Sequence, residues 1–357
     1  MQKTIYGIIL IWLGMDSIKN IKNSGIIYDA LSEAESMIEK PLVVIRCITY
    51  NHEKYISQCL EGFVTQRTNF SFVAIVHDDF STDRTSEIIN EYAKQYPKII
   101  KPVLDNCNRH TEGTLEIVMK TLVDAYNPKF IAWCEGDDYW TDPYKLQKQV
   151  DYFAAHLNCG MVYTQSRVLI QGKGFLKEIK GKPYNGLESL LMDNYIPTAT
   201  IMVKRIIEDS YLEEIGSHHK WKMGDWTRNL YSAINTEIGY IEEPMAVYRV
   251  LNESASHFTD YSKSKSFILN IDEIAFFFVD KYGVGDEELR ARLTNKTNKL
   301  LLMNAAEFGE KAEVRKYSRL VKGLTIGQKI KLFLSSRSYL RFLYNTFKVI
   351  KRKIDIN

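Results

Sequence analysis

The chain has 357 residues, 45% hydrophobic and 25% charged, the balance of an ordinary globular protein and not of a fibrous, disordered or membrane-spanning one. Its formal net charge of +3 hides an asymmetry: from Arg319 onward ten basic residues face only Asp355, so the rest of the chain is net acidic and offers no general basic face to nucleic acid. Cys47, Cys59, Cys107, Cys134 and Cys159 are an odd set without a C-x-x-C pair and read as the reduced thiols of a cytoplasmic protein.

Residues 5–13 are strongly apolar, yet a spanning helix needs about 20 such residues, so the run reads as a packed or interfacial segment within a 1–40 extension. From Leu42 the pattern changes to short β-rich runs alternating with helical ones, the signature of βαβ units around a mainly parallel sheet. Residues 42–49 read as a buried strand, and 55–66 as a helix with Ile56, Leu60, Phe63 and Val64 on one face. A second strand over 72–76 runs into Asp78, and Asp83 suits the cap of a helix over 85–96. A third strand follows at 99–104, a helix at 115–125, and a fourth strand at 129–134 delivers Glu135-Gly136-Asp137-Asp138 at its carboxyl end. Thr141-Asp142-Pro143 is a cap followed by a first-turn proline, opening a helix through about residue 153. Strand-like runs at 161–170 and 199–203 flank a Gly- and Lys-rich turn, and beyond about residue 256 helical patterns occupy 267–281, 287–308 and 328–350. The division expected is therefore 1–40, 41–256 and 257–357.

In open α/β sheets ligands bind beyond the carboxyl ends of the strands, so both acidic clusters fall where a site belongs. Glu135, Asp137 and Asp138 carry the hard oxygen donors that a divalent ion bridging a diphosphate requires. Asp78 and Asp79 can accept hydrogen bonds from a nucleoside. Alone, either cluster also reads as a solvated turn. No glycine-rich phosphate loop, zinc-spaced Cys/His cluster or nucleophilic cysteine competes with this reading.

Three stretches, C-I-T-Y-N-H-E-K-Y-I at 47–56, H-D-D-F-S-T-D-R-T at 77–85 and E-G-D-D-Y-W-T-D-P-Y-K-L at 135–146, resemble glycosyltransferase family 2. The resemblance covers about residues 41–256 and implies an α/β GT-A fold, Rossmann-like with a mainly parallel sheet, followed here by a helical appendage. It implies an inverting transfer from a nucleotide diphosphate-sugar, most commonly a UDP-sugar, with Mg²⁺ or Mn²⁺. It assigns Thr49, Tyr50 and Asn51 to the nucleotide pocket and Asp79 to the base. Glu135-Gly136-Asp137-Asp138 stands where the family has its D-x-D motif, with Asp137 on the ribose or metal, Asp138 on the metal, and Glu135 in place of the usual Asp.

Met223-Gly224-Asp225-Trp226 resembles the family's downstream catalytic Asp at a helix start. Asp225 would then be the general base, although the residues alone favour a helix cap. Trp226 reads as an acceptor-side wall or as core, and Thr198 and Thr200 as weaker acceptor-side candidates. Tyr248-Arg249 matches a further family pattern, but Leu251 stands where its histidine would be, leaving His257 as a substitute. His218-His219-Lys220 reads as a loop. The acceptor implied is a growing cell-surface glycan, free or lipid-linked. The basic tail, with Leu332, Phe333, Leu340, Phe342, Leu343, Phe347 and Ile350, reads as an interfacial helix on an anionic inner membrane face or as one that packs on the enzyme. A nucleotidyltransferase or phosphohydrolase, and a sugar-nucleotide-binding scaffold without turnover, are the competing classes.

Overall fold

The computed structural model describes residues 25–216, 221–251 and 258–335. The apolar run 5–13, His218-His219-Lys220, His257 and the tail from Arg337 to Ile350 lie outside these residues. The chain divides into two compact units. The first holds the described residues up to 166 with 197–210 and 243–248, and the second holds 167–196, 211–242 and the described residues from 249 on.

The first unit is built on strands whose apolar runs are buried on both faces, which is why they read as continuous hydrophobic stretches. Strand β1 (Val43–Thr49) lies between β2 (Phe72–Asp78) and β4 (Phe130–Trp133), parallel to both, and β3 (Ile100–Leu104) extends the parallel set beyond β2. Strand β8 (Met202–Lys204) adds antiparallel to β4, β6 (Cys159–Ile170) antiparallel to β8, and the short β5 (Tyr139–Trp140) pairs antiparallel with residues 246 and 247 of β9 (Glu237–Val250). The order is β3-β2-β1-β4-β8-β6-β9-β5, the mixed, mainly parallel α/β architecture expected. The register sets Thr49 level with Asp78, and Asp78 level with Leu104, so three strand ends share one edge.

Helices flank these strands through apolar faces. The helix Ile56–Val64 buries Ile56, Cys59, Leu60 and Phe63, and Gly62 brings it onto β5, where a Cβ would sit 2.9 Å from Trp140 N. Leu115–Tyr126 buries Leu115, Val118, Met119, Leu122, Val123 and Tyr126. At two helix starts the cap position differs from the sequence reading. Asp83 accepts from the Thr85 amide at 3.0 Å with Arg84 in the cap position, and the helix after Pro143 begins at Lys145 with Asp142 accepting from Tyr144 N at 2.7 Å.

The second unit carries β7 (Gly174–Lys180), which pairs with β6 where a turn was expected. Its long helices Tyr261–Tyr282 and Glu287–Phe308 start on Asp260 and Asp286, whose carboxylates accept from Lys263 N and Leu289 N, and they end on Gly283 and Gly309 at positive φ. Ile268, Leu301, Leu302 and Tyr317 form a buried cluster there, with Leu324 and Leu332 packed on it.

Candidate active site

The edge where β1, β2 and β4 end is held together by backbone hydrogen bonds. Asp79 N donates to Thr49 O at 2.9 Å, Asp105 N to Asp78 O at 3.0 Å, and Gly136 N to Ile48 O at 3.0 Å. A Cβ on Gly136 would fall 2.4 Å from Thr49 Oγ1 and 3.0 Å from His52 Nδ1, so the carboxylate loop lies directly against the end of β1. Asp138 N closes the loop onto Glu135 O at 3.0 Å.

Asn51, at φ 55°, ties the first loop to the second: its amide donates to Ser81 Oγ at 2.8 Å and its Oδ1 accepts from Thr82 N at 2.8 Å. His52 N donates to Thr85 Oγ1 at 2.8 Å, and Glu53 N to Asp83 Oδ2 at 3.1 Å. Tyr50 points outward at 45% exposure. The structure thus brings Thr49, Tyr50, Asn51, Asp78, Asp79 and the 135–138 loop to one edge.

The acidic pair is more inward than the sequence suggested. Asp78 is buried and accepts hydrogen bonds from the hydroxyls of Ser81 and Ser86. Asp79, also buried, accepts from Arg109 N at 2.6 Å and His110 N at 3.1 Å, so its carboxylate anchors the short helix Arg109–Glu112. Arg109 in turn clamps Asp105 from Nε at 2.7 Å and Nη2 at 3.0 Å. Burial alone would raise the Asp105 carboxyl, but hydrogen bonds from His77 and Arg109 hold it well below the usual carboxylate range. This buried His77–Asp105–Arg109 set escaped the sequence reading, because Asp105 and Arg109 sit in an irregular segment without a periodic signal.

Within the carboxylate loop Glu135 is exposed, Asp137 half-buried and Asp138 4% exposed. Asp138, which the family resemblance puts on the metal, is buried, which leaves Glu135 and Asp137 as the carboxylates that solvent reaches. Cys47 and Cys59 lie 4.0 Å apart beneath the loop, and Cys59 and Cys134 donate to Glu135 O at 3.5 and 3.8 Å. Burial pushes the Cys134 thiol up to about 11 and raises the Cys59 thiol as well, so both pack as neutral thiols. Lys145, fully buried, donates to Gln149 Oε1 at 2.8 Å and lies 4.1 Å from the Trp140 ring centre.

Thr200, also in the first unit, is fully buried and donates to Pro197 O at 2.7 Å, so it has no surface to offer an acceptor; Thr198 is half-buried in the same turn. Asp225 and Trp226 belong to the second unit. The helix Gly224–Asn235 takes Met223 as its cap position, so Asp225 lies inside the first turn and is not the N-cap. Its Oδ2 accepts from Asn194 Nδ2 at 3.1 Å, and Asn194 Oδ1 accepts from the buried Asn229 Nδ2 at 3.2 Å, a chain that fixes which face of the Asn194 amide meets the carboxylate. Trp226 is 1% exposed and donates to Leu190 O at 2.9 Å, which makes it a core residue and not an acceptor wall. Arg249, the second residue of the Tyr248-Arg249 pair, is buried on Gln171 Oε1 at 2.9 Å.

Residues 45–216 match the family profile described as glycosyl transferase family 2. This part of the chain is a family 2 glycosyltransferase domain. An uncharacterized protein of Mycobacterium tuberculosis is 36% identical over 205 residues, 57% of this chain and 57% of its own length. The chain therefore matches little more than half the length of that relative. The putative teichuronic acid biosynthesis glycosyltransferase TuaG of Bacillus subtilis is 26% identical over 218 residues, 61% of this chain and 82% of its own. Among solved structures, mannosyltransferase PcManGT from Pyrobaculum calidifontis, in complex with GDP-Man and Mn²⁺, superposes with TM-score 0.49 at 14% identity over 91% of this chain and 95% of its own. In this family 2 domain the T-Y-N, H-D-D and E-G-D-D stretches all meet at the strand-end edge.

Proposed function

We propose that the chain is a metal-dependent inverting glycosyltransferase that moves a sugar from a nucleotide diphosphate-sugar, a UDP-sugar in the first instance, to a hydroxyl of a growing cell-surface glycan. The observation that carries the reading is the meeting of three separate motifs at one strand-end edge, where Gly136 packs against Thr49 and the two acidic loops follow the parallel strands that flank β1 on either side. TuaG's name, teichuronic acid biosynthesis, supports a glycan acceptor.

Mg²⁺ or Mn²⁺ suits the donor set. Such an ion is bound by one or two protein carboxylates, with phosphate oxygens and water completing its shell. Glu135 and Asp137 provide solvent-reaching oxygens on a loop whose backbone is pinned, and among the described residues no preformed cage of three acidic, His or Cys ligands exists. When bound, the ion would neutralise the departing diphosphate. Asp138 is buried, and its amide closes the loop onto Glu135 O.

Asp225 takes the acceptor hydroxyl proton as that oxygen attacks the anomeric carbon, with inversion in a single displacement. Asn194 holds the carboxylate's orientation. The test is Asp225→Asn, which keeps the side chain's shape and removes its basicity. Donor affinity is expected to persist while single-turnover transfer falls about 10²–10⁴-fold, the usual contribution of a general base. Transfer within threefold of wild type would remove Asp225 from the mechanism. Release of pyrophosphate in place of sugar transfer would favour a nucleotidyltransferase.

Among the described residues no helix is long and apolar enough to cross a membrane. The helix Ile326–Ser335 instead leaves Ile326, Ile330 and Phe333 exposed along one stripe beside Lys322 and Lys329. That pattern supports a peripheral position on an anionic, cytoplasm-facing membrane surface where a lipid-linked acceptor is carried.

A further inference from the structure

We infer that Phe80 is an aromatic platform on which the donor's nucleobase stacks, a role that rests on the donor reading above. Phe80 has φ 69°, the left-handed region that a bulky L side chain disfavours, and its ring is 49% exposed. About half of the residue stays open to solvent, so burial offsets little of that conformation, and such outliers persist only when their surroundings impose them. The surroundings do so on both sides. Asp79 is held through its amide by Thr49 O, through its carbonyl by Asn108 Nδ2 at 3.2 Å, and through its carboxylate by the Arg109 and His110 amides. Ser81 is held by Asp78 and by the Asn51 amide. With both neighbours fixed, the backbone between them turns the Phe80 ring out of the protein.

The ring stands at the edge where a ligand is expected. Thr49 and Asp78 are register partners, so Tyr50, one residue beyond the first, and Phe80, two beyond the second, are exposed rings on adjacent strand-end loops. The Asn51 clamp onto Ser81 and Thr82 joins those loops. Asp78 and Asp79 lie between them, and two carboxylates repel a diphosphate. The part of a nucleotide that fits beside them is its neutral, flat base, for which stacking on an aromatic face is the least sequence-demanding contact. Glycine would take this φ without strain, whereas phenylalanine brings a ring to this edge at the cost of that strain.

Phe80→Gly and Phe80→Ala separate ring from backbone, because both delete the platform but only glycine relieves the conformation. Titration calorimetry with UDP, GDP, ADP and dTDP first identifies the nucleotide that binds wild type. For that nucleotide both variants are expected to lose affinity about 5-fold or more and by similar factors, the range for loss of one base stack. Phe80→Trp should retain affinity. Phe80→Gly should melt about 2 °C or more above Phe80→Ala, since only the latter keeps the strain. Affinity of both variants within twofold of wild type, with wild type binding, overturns the platform and leaves the donor reading standing. If wild type binds none of the four nucleotides, the donor reading fails and the platform with it.

Discussion

Lys145 illustrates how a single side chain departs from its sequence pattern. It lies in the first turn of an amphipathic helix, where a lysine would ordinarily reach solvent, yet it is fully buried on Gln149 and the Trp140 ring. Desolvation pulls its pKa down to about 7, against a smaller upward pull from the Asp142 carboxylate. A lysine whose folded value lies below its unfolded value of about 10.4 binds fewer protons when folded across that interval, so stability rises with pH there and the penalty is complete below neutrality. Lys145→Met removes the titration. The melting-temperature difference, wild type minus variant, is expected to grow more positive from pH 7 to pH 9.5. A difference that stays constant over that range would show that Lys145 does not titrate between its two states. The buried acidic pair makes a related point. Two adjacent aspartates read as a solvent-facing turn, but serine hydroxyls and helix-start amides satisfy both. Their partners at Ser86, Arg109 and His110 are too far along the chain for local pattern to reveal.

At the scale of elements, the site depends on loops pinned to strand ends. Gly136 is the tightest of these points, with Thr49 Oγ1 at 2.4 Å and Thr49 Cβ at 2.6 Å from where a Cβ would stand. Gly136→Ala is therefore expected to cost about 1–3 kcal/mol, the usual range for overpacking, and to displace the carboxylate loop. A lowered denaturation midpoint together with weakened nucleotide binding is the expected pair of readings; an unchanged midpoint would mean that the loop yields freely. The parallel strands were legible from sequence because burial on both faces writes them as nearly continuous apolar runs, as in Val43–Thr49 and Phe72–Asp78. Glu237–Val250 was not, since Glu242, Glu243 and Pro244 interrupt its middle and mimic a loop. Gly174–Lys180 was read as a turn for the same reason, its glycine and lysines outweighing Phe175, Leu176 and Ile179. Of the site, the strand-end motifs were visible as residue types. Burial of Asp138 and Thr200 was not, and the choice between wall and core for Trp226 stayed open, because burial is decided by partners distant in sequence such as Leu190 for Trp226.

For the molecule as a whole, charge is distributed so that the tail and the body have opposite signs. The outward stripe of Ile326, Ile330 and Phe333 lies at the start of that basic segment, while Leu332 on the same helix packs on the Leu301–Leu302 cluster. In the full-length chain Ile330→Ser with Phe333→Ser should weaken flotation with phosphatidylserine-containing vesicles, because both apolar burial and about 1 kcal/mol per basic residue near the surface contribute. Binding should also fall as salt rises. Equal flotation of wild type and variant, or none by wild type at low salt, would make the stripe a purely protein-facing surface.

The central claim is that the strand-end edge holds a nucleotide diphosphate through a metal ion on the 135–138 loop. The direct measurement is calorimetric titration of the best-binding nucleoside diphosphate into wild type and into Glu135→Gln/Asp137→Asn, each with Mn²⁺ and with EDTA. Melting curves check that the variant is folded. Wild type should lose at least about tenfold in affinity in EDTA, about 1.4 kcal/mol of binding free energy, and the folded variant should bind weakly and equally in both conditions. Undiminished, metal-independent affinity in both proteins would contradict the account.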